Sequence, residues 1–173
     1  MKPLFLLSHC LLNNYSKVEP FANRNKELVQ VLLQFEAGVI QLPCPEFSYL
    51  GGKRWGMVKE QYDSSGFRNH CQKLLKPVLD QLGDYMKVDD YVVYYLGIKG
   101  SPSCGVINTC SNESYSGEIE GKCFAETKIV ESQGVFIEEL LALNNSYGLK
   151  INLLEVDEDN IESTIKEVKN ILI

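Results

Sequence analysis

The stretch YVVYYLGIKGSPSCG, residues 91–105, decides the fold, because it joins the strongest strand pattern in the chain to a loop of restricted shape. Residues 91–96 are β-branched, aromatic or aliphatic, which is typical of a strand buried on both faces of a parallel sheet. Glycine then permits unusual backbone angles and proline fixes φ, so the loop has a defined shape. Cys104 lies near its end. Because open α/β sheets bind ligands beyond the carboxyl ends of their strands, this cysteine is a candidate functional residue.

Two other cysteines have the same position relative to a predicted strand. Cys10 follows the apolar run of residues 4–7, and Cys44 follows the run of residues 38–42. Parallel strands end at one edge of a sheet, so we expect the three cysteines to meet there. Three converging thiolates repel each other unless a cation neutralises them, as an iron–sulfur cluster or a zinc ion would. The spacing alone leaves a second interpretation open, in which these cysteines are small apolar core residues.

Strand and helix patterns alternate along the chain. The predicted strands are residues 4–7, 39–42, 91–96 and 151–156, and the predicted helices are residues 24–36, 65–82, 134–143 and 160–171. The segments predicted as irregular are residues 8–22, 43–63 and 106–130, and within the last of these loops or a hairpin are expected at residues 108–117. We expect Asn23 to cap the first helix, Asp157 or Asp159 to cap the last, and Pro77 to kink or break the second. This order predicts an α/β, Rossmann-like three-layer fold with a mostly parallel sheet of four or slightly more strands and helices on both faces.

The composition is that of a globular protein with an acidic surface. The 173 residues are predicted to form a single domain over residues 1–173, and the formal net charge of −6 argues against non-specific nucleic-acid binding. No run approaches the roughly 20 apolar residues of a membrane span, and the four-residue run at 4–7 is short of the roughly 7–15 of a signal-peptide core. We therefore expect a cytoplasmic protein, in which unpaired cysteines bind metal or take part in catalysis.

Three segments around the cysteines resemble the signature segments of the DUF523/TudS family, which includes thiouracil desulfurases. They are SHCLLN at residues 8–13, LPCPE at residues 42–46 and GSPSCG at residues 100–105, and GVFIEEL at residues 134–140 resembles the family's helix after its glycine-rich segment. The chain departs from the family where close relatives carry Arg-Tyr-Asp-Gly, since residues 13–16 read NNYS, and ESYSG at residues 113–117 matches the later Thr-Phe-Ser-Gly segment only in part. We interpret the chain as a member of a divergent branch, so the substrate of the known desulfurases cannot be assigned to it from the resemblance.

The resemblance implies a [4Fe–4S] cluster held by Cys10, Cys44 and Cys104, with the fourth iron open. Such an iron is a soft Lewis acid that prefers a substrate's sulfur to a water oxygen. The implied activity is a desulfurase acting on a small thiocarbonyl compound such as a thiolated nucleobase, in which water attacks the carbon and the sulfur leaves onto the cluster. A sample prepared in air is expected to lose the cluster or to hold another ion in its place.

Residues beside the cysteines provide the candidate catalytic and binding groups. Glu46, two residues after Cys44, is the candidate general base. Ser101 and Ser103 are candidate catalytic residues that bind the substrate or relay a proton. The candidate substrate-binding residues are Ser8, Lys53 and Arg54. Each also has an ordinary structural interpretation, as a capping carboxylate, a turn serine or a solvated cation.

Two other functions fit the same pattern. One is a non-enzymatic zinc- or iron-binding module built on the three cysteines, and the other is a small-molecule binder that has lost the cluster. Of the remaining cysteines, Cys71 is expected in the core, whereas Cys110 and Cys123 have no predicted role. Metal analysis separates the alternatives, because zinc is redox-silent.

Protein purified without oxygen is therefore expected to be brown and to contain about four irons per chain, because the three cysteines would hold one four-iron cluster. Iron analysis and the visible absorption spectrum measure both. A colourless protein that keeps its fold would contradict the cluster, and stoichiometric zinc would favour the metal-binding module.

Overall fold

The chain forms two sheets and seven α-helices within the residues placed by the computed structural model, which are 2–18, 25–35, 37–115 and 126–173. The strands are β1 (Lys2–Leu7), β2 (Gly38–Gln41), β3 (Tyr91–Ile98), β4 (Asn108–Ser111), β5 (Lys128–Glu131) and β6 (Ile151–Val156). The helices are α1 (His9–Leu12), α2 (Lys26–Gln34), α3 (Pro45–Leu50), α4 (Lys59–Tyr62), α5 (Ser65–Val88), α6 (Val135–Tyr147) and α7 (Ile161–Leu172).

The larger sheet is parallel throughout and has the strand order β2-β1-β3-β6. Its register places Leu4 of the central strand β1 opposite Gly38 of β2 and Val93 of β3. All four carboxyl ends therefore lie at the same edge of the sheet, as the sequence predicted. The smaller sheet is the antiparallel pair β4–β5. Strand β4 lies in the segment 108–117 for which loops or a hairpin are predicted, but its partner β5 lies outside that segment.

Helices cover both faces of the parallel sheet. Successive residues of a strand point to opposite faces, so Leu4 and Leu6 pack with α5 and α6, whereas Phe5 and Leu7 pack with α2 and α7. The bulky side chains of β3 divide in the same way, with Tyr95 on the first face and Leu96 on the second. This arrangement confirms the predicted α/β three-layer architecture.

Helix α5 differs from its prediction. It continues through Pro77 and ends at Val88, so a break at Pro77, one of the two predicted alternatives, and the predicted end at residue 82 are wrong. Proline has no N–H group to donate to the carbonyl group four residues earlier in the helix. Because Pro77 is exposed, that carbonyl group lies on the solvent side of the helix, where water can donate to it instead. Tyr85 and Met86 extend the apolar stripe beyond residue 82 and pack against the core.

The segments predicted as irregular contain short helices. Residues 8–22 include α1 and a 3₁₀ turn at Asn14–Ser16, and residues 43–63 include α3 and α4. Elements of four to six residues are too short to show a helical repeat, which explains why the pattern did not reveal them.

Two predicted helix caps also differ. Helix α7 has Asn160 as its N-cap, and the carboxylate of Asp157 instead accepts the backbone N–H of Asp159 at 3.0 Å, in the turn before the helix. Helix α2 has Asn25 as its N-cap, and Asn23 lies outside the described residues. None of the helices in the described ranges combines the length and the apolar character that crossing a membrane would require.

The cysteine loop, residues 100–105, is held against the start of α6. Backbone N–H groups of residues 134–136 donate to its carbonyl groups, among them Phe136 N–H to Ser103 O at 2.9 Å. These are N–H groups that a helix start leaves without partners inside the helix. The approach is so close that a Cβ atom on Gly134 would lie 2.4 Å from the carbonyl carbon and oxygen of Ser103. Glycine is therefore required at this position by contact with backbone.

Replacing Gly134 with alanine is expected to lower the free energy of unfolding by about 1–3 kcal/mol, because the added methyl group meets backbone that must move. Urea denaturation followed by circular dichroism measures the change. Gly83→Ala in the interior of α5 is the matched control, since no atom lies within 4 Å of its Cβ position and alanine favours helix there by up to about 1 kcal/mol. Equal destabilisation of both variants would contradict the role given to Gly134.

Candidate functional site

The carboxyl ends of all four parallel strands border one cavity of about 280 Å³. The segments after β1, β2, β3 and β6 contribute Cys10, Cys44, Cys104 and Glu158 to its lining. The fold thus brings the three cysteines to a shared space, although they lie far apart in sequence. Their role as ligands remains a prediction.

Local structure fixes two of these cysteines. Cys44 is the N-cap of α3, with Pro45 at the first helical position, and its sulfur accepts the backbone N–H of Phe47 at 3.4 Å. Cys104 is held by its own N–H, which donates to Ser101 Oγ at 3.0 Å. The shaped loop anticipated from glycine and proline is therefore a turn closed by a serine side chain.

The three thiols have raised pKa values. Burial raises the pKa of Cys104 to about 12, and the charges of Cys44 and Glu46 act in the same direction. Burial likewise raises the pKa of Cys10, with a further contribution from the charge of Cys104 and an opposing one from Lys17. Burial is also the main cause of the raised pKa of Cys44. The thiols are thus protonated at neutral pH, and a bound cation is what would favour their ligating thiolate form.

Three cysteine thiols are the donor set that an iron–sulfur cluster uses. Within the described ranges, no group of three or more His, Cys, Asp or Glu side chains is arranged to hold a metal ion. Ligands of one zinc ion would all have to lie about 2.3 Å from the same point. In an iron–sulfur cluster each thiolate binds its own iron, so the sulfurs are spread more widely. Cys10, Cys44 and Cys104 line one cavity, and thiolates are ligands that either group accepts.

The carboxylate of Glu46 is oriented by three side chains. Its Oε1 accepts Ser103 Oγ–H at 2.6 Å, and its Oε2 accepts Tyr62 O–H at 3.2 Å and Arg54 Nε–H at 3.5 Å. The Glu46 and Arg54 side chains are only 13% and 4% exposed. Burial raises the pKa of Tyr62, with the charge of Glu46 acting in the same direction, so this phenol remains a hydrogen-bond donor. Glu46 is therefore fixed at the cavity wall.

Ser103 connects the carboxylate to the cysteine loop. Its hydroxyl oxygen lies 3.5 Å from Cys104 Sγ and 3.5 Å from Ser101 Oγ, in addition to its short bond to Glu46. Both serines line the cavity. The two predicted catalytic serines and the predicted base thus form one connected group beside a cysteine.

The three predicted substrate-binding residues lie in different surroundings. Arg54 lines the cavity, but its guanidinium binds Glu46 and also donates to the Ser16 carbonyl at 2.5 Å. Lys53 is exposed and is not part of the cavity lining. Ser8 is buried beneath the site, with its Oγ 2.7 Å from the Tyr95 hydroxyl. Of these three residues only Arg54 lines the cavity, and its guanidinium group is already bound to Glu46 and to the Ser16 carbonyl oxygen.

Sequence reasoning missed several residues at the site, namely His9, Lys17, Tyr62 and Glu158. Glu158 follows β6 by two residues, the strand-end position that identified the cysteines, and the same rule could have found it. Tyr62 and Lys17 reach the site only through the folding of the intervening segments, for which the sequence gives no signal.

Of the other cysteines, the two that the structure describes, Cys71 and Cys110, are not part of the cavity lining. Cys71 is fully buried in the core, as predicted. The thiol of Cys110 is unpaired and lies 3.7 Å from the Met57 carbonyl oxygen, and Cys123 lies outside the described residues.

Comparison with known proteins identifies relatives of this chain. A family model described as "Putative 2-thiouracil desulfurase" matches residues 3–119. An uncharacterized protein of Methanocaldococcus jannaschii is 40% identical over 108 residues, which are 61% of this chain and 69% of the relative. A solved structure titled "[4Fe-4S]-dependent thiouracil desulfidase TudS" aligns over 98% of this chain and 99% of that chain, with 19% identity and a TM-score of 0.48.

The raised pKa values predict how the thiols react in metal-free protein. Between pH 8 and 10, the rate of Cys104 alkylation by iodoacetamide is expected to keep rising with pH, because the thiolate fraction stays small below a pKa of about 12. In the urea-unfolded chain the rate should level off near the ordinary thiol pKa of about 8.5. Mass spectrometry of the labelled peptides measures both profiles. A plateau below pH 9 in the folded protein would contradict the assignment.

Proposed function

Because the chain belongs to the 2-thiouracil desulfurase family, whose model covers residues 3–119 of its 173 residues, we propose that it removes sulfur from a small thiocarbonyl compound. The membership confirms the resemblance carried by the three cysteine segments. The observation that carries the proposal is that Cys10, Cys44, Cys104 and Glu46 line one cavity. A thiolated nucleobase is the substrate class that we propose.

Cys10, Cys44 and Cys104 would hold a [4Fe–4S] cluster, which would supply a soft Lewis acid for the substrate's sulfur. The chain's own contribution is a partly buried cavity whose thiols are neutral without a cation and whose carboxylate is fixed in place. Thiol ligands stay reduced in the cytosol, which supports the proposed cytoplasmic location.

Glu46 would act as the general base. Arg54 and Tyr62 bind its Oε2, so that Oε1 is turned toward Ser103 and the cysteine loop. From there the carboxylate takes a proton from the water that attacks the thiocarbonyl carbon, either directly or through the Ser103 hydroxyl. A C–O bond forms, the C–S bond breaks and water's two protons end on the products, so the exchange of sulfur for oxygen needs no external electrons.

The non-enzymatic zinc module receives less support. It explains the three cysteines of the cavity but gives no role to the carboxylate beside them. A structural site would also not require a carboxylate held by three side chains at the wall of the same cavity.

Glu46→Gln is expected to lower kcat for 2-thiouracil by about 10²–10⁴-fold, because the amide cannot accept the proton from water. Iron content and the absorption spectrum should remain those of the unchanged protein. Glu167→Gln, on the exposed side of α7, is the matched control and should leave kcat unchanged. Full activity of Glu46→Gln would remove Glu46 as the base, and failure of the iron-loaded protein to act on any thiolated base would overturn the proposed function.

A further inference from the structure

The cavity contains an ion pair that the proposed chemistry does not use. Lys17 Nζ binds Glu158 Oε1, and both side chains line the cavity with 19% of their surface exposed. Asn25, buried at the start of α2, donates its side-chain N–H to the same oxygen at 2.6 Å. The pair joins the segment after β1 to the segment after β6, although β3 lies between these strands.

Stability does not account well for this pair. Exposed ion pairs contribute about 0–1 kcal/mol, and partly buried ones must offset the cost of removing two charges from water. The buried side chain of Asn25 nevertheless fixes the position of the Glu158 carboxylate, which a small contribution to stability does not explain. Placement at the wall of the proposed active site points instead to a role toward a ligand.

The two side chains present complementary hydrogen-bonding groups to the cavity. Lysine has three N–H donors, and a carboxylate has about four acceptor positions on its two oxygens. Among the described residues, both contacts of Glu158 fall on Oε1. Lys17 and Glu158 line the same cavity as Cys10, so the pair lies in the space that the proposed substrate would enter.

The cations of the cavity also restrict the charge of the ligand. The described lysine and arginine side chains that line it are Lys17, Lys99 and Arg54, and each is paired with a carboxylate, from Glu158, Asp157 and Glu46 respectively. A phosphate group would have to break one of these pairs. A neutral ligand with its own donor and acceptor would not.

We propose that Lys17 and Glu158 recognise an adjacent C=O and N–H on the ring of a neutral heterocycle, with Lys17 donating to the oxygen and Glu158 accepting from the nitrogen. This inference rests on the proposed function and narrows its substrate class. 2-Thiouracil carries such an edge, N3–H beside C4=O, next to its thiocarbonyl carbon. A thio-compound without this edge would make neither hydrogen bond, and a phosphate on the ligand would compete with the carboxylate partners of the described cations.

Equilibrium binding of uracil and 3-methyluracil to the iron-loaded protein, measured anaerobically by calorimetry, tests the inference independently of turnover. The unchanged protein is expected to bind uracil at least tenfold more tightly, because 3-methyluracil leaves the Glu158 acceptor without its N–H. Glu158→Ala should lose this preference and bind uracil about 10–100-fold more weakly, and Glu158→Gln should weaken binding by a smaller factor. With 2-thiouracil, KM should rise while kcat changes little.

Asp89→Ala is the matched control, because it removes the carboxylate of the exposed Lys2–Asp89 pair at the opposite end of β1. Its binding and iron content should equal those of the unchanged protein. Equal binding of the two uracils, an unaltered preference in Glu158→Ala, or loss of iron in that variant would overturn the inference, the last by making the pair part of the metal site. Desulfuration without uracil preference would refute only this inference, whereas uracil preference without desulfuration would support it and refute the proposed function.

Discussion

The hydrogen bonds from the first N–H groups of α6 to the carbonyl groups of the cysteine loop are the constraint on which the site depends. They fix the peptide between Ser103 and Cys104 against Gly134, at a separation that no side chain could occupy. Ser103 then sets the position of Glu46 by a 2.6 Å bond, and Cys104 reaches the cavity from the same turn. One backbone contact thus sets the relation between the proposed base and a proposed ligand.

Electrostatics divides the cavity into two parts. Its described lysine and arginine side chains are each matched to a carboxylate, so these groups bring little net charge. The three thiols have no such carboxylate or cation partner in the described part of the chain, and burial is the main cause that raises their pKa values and favours their protonated form. Among the described residues, the cysteine side of the cavity therefore suits a cationic group and the side with the ion pairs suits a neutral molecule.

The fold and the placement of the cysteines could be predicted because both follow from the pattern of apolar residues within short segments of the sequence. Apolar runs mark the strands, and the parallel topology then brings Cys10, Cys44 and Cys104 to one edge without any knowledge of side-chain packing. Glu46 was identifiable because it is two residues from Cys44. The contacts of Tyr62 and Lys17 depend on how separate elements pack, and Lys53 shows the opposite error, in which nearness in sequence to Arg54 did not bring it to the cavity.

The three cysteines belong to three different strand ends, separated by 34 residues (10 to 44) and by 60 residues (44 to 104). A group bound by all three would close two long loops, and cross-links of that kind limit the conformations open to an unfolded chain. A group bound for catalysis would then also act as a cross-link that stabilises the tertiary structure. Loss of such a group would lower the folding stability of the protein as well as its activity. A less stable chain would also be degraded more readily by proteases.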